Sequence, residues 1–71
     1  SKVIRAALAQ EDWAELRMAV HTIKGSAATF GFFEIGEIAK EMQQQITNGE
    51  LEQLPDLAMR LVGEIDKILL D

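Results

Sequence analysis

The sequence predicts an all-α fold, an antiparallel up-down bundle of four helical segments, and three observations carry that prediction. Apolar residues recur at helical spacing in four successive stretches. Between those stretches lie helix-capping and helix-breaking residues, namely Asp12, Gly31, Asn48-Gly49 and Pro55. No stretch shows the alternation of a half-buried strand, and the chain is rich in Ala, Leu, Ile, Glu and Gln, which favour helix.

The first helix is expected over 1–9, with Val3, Ile4, Ala7 and Leu8 as its apolar stripe. Two turns are marginal alone, so this reads as a short or truncated helix, the weak wall of the bundle. The second is expected over 12–30. Asp12 and Glu15 have the spacing of a capping box, and with Glu11 they suit the positive end of the helix dipole. At about 100° per residue, Trp13, Leu16, Val20, Ile23, Ala27 and Phe30 fall within an arc of about 100° that faces the core. Gly31 closes the helix as its left-handed cap, and Phe32 and Phe33 follow at a corner where they are expected to plug the end of the bundle.

The third helix is expected over 33–47, with Ile35, Ile38, Ala39, Met42 and Ile46 inward and Asn48-Gly49 stopping it. Gly36, Lys40 and Gln43 share one flank of that helix, and close helix packing would explain the glycine. The fourth is expected over 54–70, with Pro55 in its first turn, where a missing N–H costs nothing. Its stripe is Leu57, Ala58, Leu61, Val62, Ile65, Ile68 and Leu69, while Leu51 packs locally in the connection before it. Residues 1–71 thus read as one domain, near the lower size limit for a core without staples.

Composition removes many functions. With no cysteine there is no disulfide framework and no thiolate zinc site. A net charge of −5 argues against nucleic acid as a partner. No apolar run approaches the roughly 20 residues that span a bilayer, so no direct membrane contact is expected and a cytoplasmic domain is the default. Lys24-Gly25-Ser26 imitates only a fragment of a phosphate loop, in the wrong order. Ser26, about 140° around the helix from His21, cannot form a triad with it.

What remains is the one histidine. His21 lies roughly 130° from the middle of the core stripe, so it faces outward, with Ala14, Arg17, Met18, Lys24, Gly25 and Ala28 around it. A neutral imidazole nitrogen is a good nucleophile toward an activated phosphoryl group. Lys24, one turn on, would offset the charge such a group brings. Gly25 removes a side chain beside the imidazole at a mid-helix cost of roughly 1 kcal/mol, so a partner's active site could come close. Taken alone, Lys24, Arg17 and Lys40 are ordinary solvated charges. Set around His21 on a negative protein, they form a local positive patch that would steer an acidic partner. Met18, Ala14 and Ala28 would supply the apolar part of that surface.

His21-x-x-Lys24-Gly25 followed by Gly31, with two amphipathic helices after it, resembles the histidine-containing phosphotransfer (HPt) domains of multistep phosphorelays. The resemblance covers nearly the whole chain. It implies a four-helix bundle, not an enzyme, whose His21 accepts a phosphoryl group from a receiver-domain aspartate and passes it to another receiver. It implies that Lys24 and Gly25 support His21 and that Gln43 is the polar partner of the imidazole; independently of it, the charge and apolar pattern makes Arg17, Met18, Ala28 and Lys40 candidates for docking. Response-regulator receiver domains are the implied partners. No cofactor is expected on this domain, and Mg²⁺ is expected on the receiver.

Two departures from the pattern matter. The first helix is about half the usual length, so it would be completed by extension or by a homodimer through that helix. Thr29-Phe30-Gly31-Phe32 is similar to the phosphoacceptor domain of chemotaxis histidine kinases, but that subgroup has an acidic residue where this chain has Gln43. The phosphorelay branch is therefore the first reading, with the parent protein a hybrid sensor kinase or relay protein. The alternatives are the chemotaxis-type phosphoacceptor and a helical adaptor or dimerisation module that is not phosphorylated.

Overall fold

The computed structural model describes residues 2–69, with the side chain of residue 69 outside that description. Four α-helices follow one another: α1 (Lys2–Ala9), α2 (Trp13–Phe30), α3 (Phe33–Asn48) and α4 (Leu54–Leu69). The expected extensions to Ser1 and Leu70 lie outside the described residues. Each helix packs on its sequence neighbours, and α1 also packs on α4, which closes the ring around one shared core.

The helix ends show why the chain turns where it does. The Asp12 carboxylate accepts from the Glu15 N–H at 3.1 Å, capping α2. The return half of the expected capping box is not made. The Asp12 N–H instead donates to the Ala7 carbonyl at 2.9 Å, so the donor Glu15 would have served is already used in closing α1. Gly31 and Gly49 take φ of 77° and 73°, and the residues after them donate back to Ala27 and Gln45, ending α2 and α3 in the same way. Glu11 occupies the corresponding left-handed position after α1 at φ 53°.

The core contains Ile4 and Ala7 from α1, Leu16, Val20 and Ala27 from α2, Ile35, Ile38, Ala39 and Met42 from α3, and Leu54, Leu57, Ala58, Leu61 and Val62 from α4. Trp13, Ile23, Ile46, Leu51 and Ile65 pack against it half-buried. Among the described residues no polar side chain is buried, so apolar contact and helix ends carry the stability.

Five expected core residues lie elsewhere, Ile68 of α4 among them at 40% exposed. Phe30 is 70% exposed and Phe33 76% exposed, so they do not plug the bundle; Phe32 is partly exposed and stacks on Phe30 with centroids 6.0 Å apart. Val3 in α1 is also exposed. For Phe30 the reason is length. α1 has eight residues and spans about 12 Å, whereas the eighteen of α2 span about 27 Å. The upper part of α2, from Ile23 to Phe30, therefore has no α1 beside it. There Ile23, Ala27 and Phe30 look across an open apolar groove to Ile65 and Ile68 of α4. No helix among the described residues is long and apolar enough to cross a membrane.

Candidate functional site

His21 sits in the middle of α2 with its side chain exposed, as the separation of faces on that helix requires. Its Nδ1 lies 3.1 Å from the side-chain amide nitrogen of Gln43 on α3, and Nε2 has no hydrogen-bond partner among the described residues. This contact crosses the seam between the two helices and fixes the ring. With Nδ1 bare, the amide N–H donates to it and the proton rides on Nε2. With the amide turned over, its oxygen accepts from Nδ1–H and Nε2 keeps a free lone pair. A glutamine serves both tautomers, whereas a carboxylate could only accept.

The same seam orders the other residues. Gly36 of α3 lies over Ala27 of α2, close enough that a Cβ on Gly36 would stand 3.6 Å from that of Ala27. This is ordinary van der Waals distance, so close packing does not demand glycine there, contrary to the sequence expectation. Together with the His21–Gln43 contact it sets an antiparallel register in which Lys24 of α2 faces Lys40 of α3. Both lysines line two adjoining recesses, an open polar one with Gln43, Gln44 and Thr47, and a shallower one with Ala28, Gly31 and Gly36. Lys24 is half-buried and Lys40 exposed.

The structure therefore gathers Lys24, Gln43, Lys40 and Ala28 along one seam beside His21. Gly25 lies on the same face, and a Cβ built there would meet nothing within 4 Å. Arg17 is exposed one turn below His21, and Met18 is 68% exposed on the flank away from α3. At about 100° per residue Arg17 falls on the same side of His21 as Lys24 and Ala28, and Met18 on the other side. Thr22 and Thr29 donate to the Met18 and Gly25 carbonyls, each at 3.1 Å, so their hydroxyls are spent on their own helix. Ser26 lines the apolar groove on the other side of α2, out of reach of His21.

Glu37 and Phe33 also border the shallow recess, and neither was singled out from the sequence as part of the site. The missing signal was the register between α2 and α3, which no spacing within one helix reveals. On the opposite flank of α3, Lys67 holds Glu64 at 2.7 Å. The hydrogen bond from Lys67, then that with Glu34, keeps Glu64 below the usual carboxylate range, and sharing a hydrogen bond with Glu64 lifts Glu34 above it. That cluster lies at the α3–α4 junction, in a recess that His21 does not line. Among the described residues no group of three His, Asp or Glu side chains is placed to hold a metal ion.

The site is thus an exposed imidazole held through Nδ1, with Lys24 and Gly25 on the same face of α2. No curated protein and no solved structure matches the chain significantly. A model of the Hpt domain family, whose members carry phosphoryl groups in phosphorelays and interact there with response-regulator receiver domains, matches residues 2–69. Nearly the whole chain is covered, and the helical bundle is the architecture of that family: this chain belongs to the Hpt domain family.

Proposed function

We propose that the domain is a phosphorelay intermediate in which His21 takes a phosphoryl group from one receiver aspartate and hands it to a second receiver. The observation that best supports this is the Gln43 contact to Nδ1 of an exposed His21, which leaves Nε2 as the outward nitrogen. The Nε2 lone pair attacks phosphorus, an N–P bond forms, and the P–O bond to the receiver's aspartate breaks, with carboxylate leaving. Gln43, its oxygen accepting from Nδ1–H, holds the ring while positive charge builds on it. Lys24 offsets charge on the transferring group. Gly25 gives the receiver's cleft room to approach, and Arg17, Met18, Ala28 and Lys40 form the docking surface. Mg²⁺ sits on the receiver, whose residues supply the catalysis, so the domain is a carrier and not an enzyme. Its place of work is the cytoplasm, as a module of a hybrid sensor kinase or relay protein.

The test is incubation with a phosphorylated receiver. Acid-labile, base-stable phosphate on the wild-type chain and none on His21→Gln is expected. Transfer surviving in His21→Gln would remove the assigned acceptor. Labelling by an ATP-dependent kinase domain alone would move the chain to the chemotaxis type, and no labelling by either would leave a helical adaptor. A homodimer covering the open end beyond α1 belongs to the same reading. Sedimentation at twice the chain mass supports it, and a monomer at all accessible concentrations removes it.

A further inference from the structure

The seam beside His21 carries an arrangement that the docking role of Lys40 does not explain. In an antiparallel helix pair, residues on successive turns meet as rungs. His21 with Gln43 is one rung and Ala27 with Gly36 another. The rung between them is Lys24 with Lys40, and both side chains border the same two recesses. The chain has twelve acids and seven Lys or Arg residues, yet this rung sets two cations against each other. Neither has a carboxylate partner among the described residues. Glu37, spaced three residues before Lys40, borders the shallow recess but is not in ion-pair contact with either lysine. Across α3, by contrast, Lys67 is matched to Glu64 at 2.7 Å. Facing like charges repel, and the fold gains nothing by placing them there. A dianion between them would turn that repulsion into attraction. The imidazole lies at this seam because Nδ1 is held from α3, and both lysines, which border the same recesses, have flexible stems that could turn toward a group on Nε2.

We propose that Lys40 acts with Lys24 as a two-lysine clamp on the phosphoryl group carried by His21, one ammonium from each side of the seam. The clamp rests on His21 being the phosphoacceptor. It adds no covalent step: each ammonium donates hydrogen bonds to phosphoryl oxygens once the N–P bond exists. Lys40 thereby holds the cargo itself, in addition to meeting the receiver.

The experiment dispenses with the receiver. The 71-residue chain is treated with phosphoramidate, which transfers its phosphoryl group to an imidazole nitrogen and releases ammonia. The ³¹P resonance of the phosphohistidine is then followed through a pH titration at low salt. In Lys40→Ala the second ionisation of the phosphoryl group is expected to move up by about half a pH unit, the effect of one unit charge several ångströms away in water-like surroundings. Lys24→Ala should move it similarly, the double variant further, and Lys40→Glu further than Lys40→Ala. Lys40→Arg should restore the wild-type curve. Unchanged far-UV circular dichroism in the Lys40 variants excludes a folding cause. A Lys40→Ala curve superimposed on wild type while Lys24→Ala is displaced would overturn the clamp. So would a Lys40→Ala that slows transfer from a receiver with its titration unmoved, because that makes Lys40 a docking residue alone. If the wild-type chain gives no phosphohistidine signal, or if His21→Gln still gives it, the acceptor assignment fails and the clamp fails with it.

Discussion

Gly25 sets a conflict between stability and traffic that a single methyl group can expose. It lies in the interior of α2, where glycine is about 1 kcal/mol less favourable than alanine. A Cβ built on its backbone meets no atom of the protein within 4 Å, so alanine introduces no clash and fills no void. Gly25→Ala should therefore stabilise the domain by about 1 kcal/mol, a rise in Tm of roughly 4–8 °C for a domain of this size. Gly63 provides the control. It too is interior to its helix, and a Cβ there also meets nothing, but it lies on α4, away from His21. Gly63→Ala should give a similar gain in urea denaturation and leave transfer from a phosphorylated receiver unchanged. Gly25→Ala should slow that transfer by about tenfold, since an extra carbon in a closely fitted contact typically costs 1–3 kcal/mol. Loss of stability in Gly25→Ala would show that the glycine is needed by the fold after all. Full stabilisation with undiminished transfer would show that no partner approaches that closely.

Leu16→Ala, which empties a fully buried position, should cost about 3 kcal/mol, a large share of the roughly 5 kcal/mol expected of so small a domain. Phe30→Ala, on the same helix, should cost less than about 1 kcal/mol because most of that ring is already in water; equal losses in urea would refute the open end of the bundle. Glu34→Gln should raise Tm at pH 7. Its folded-state pKa is raised by the neighbouring Glu64, so at neutral pH the wild type carries an ionised Glu34 beside a carboxylate. As pH falls through the carboxylate range Glu34 takes up its proton, the repulsion ends, and the gain from glutamine should fade. A gain independent of pH would refute that origin.

The readable part of the fold was what each helix states about itself. Asp12, Gly31 and Gly49 mark ends through local backbone bonding, and those ends stand where such residues place them. The wheel of α2 likewise separates Leu16, Val20 and Ala27 from His21 and Gly25. A helical wheel places Phe30 in the core because it assumes the same neighbours along the whole helix, whereas Phe30 lies at the edge of the stripe, past the reach of α1. The Glu15 half of the capping box failed for a related reason: its donor had already been taken by Ala7 of the preceding helix. In the site, the exposure of His21 followed from periodicity, and the position of Gln43 from resemblance to a family. The facing of Lys24 and Lys40 follows from neither. It depends on the sliding position of α3 against α2, which side-chain packing across the seam determines.

The apolar groove beside the upper part of α2 has one more consequence, for how the molecule breathes. Below His21, α2 is braced on both sides, by α1 and α3; from Ile23 upward it has α3 on one side and an apolar groove on the other. Free energies of local opening follow such bracing, so amide hydrogen exchange should divide the helix into a slow lower tier and a faster upper one. His21 stands at the boundary. On the proposed relay role, the face from Lys24 to Gly31 that a receiver would meet belongs to the less braced tier. Leu16 and Val20 thus hold the imidazole from below, while the helix above it is expected to open on its own.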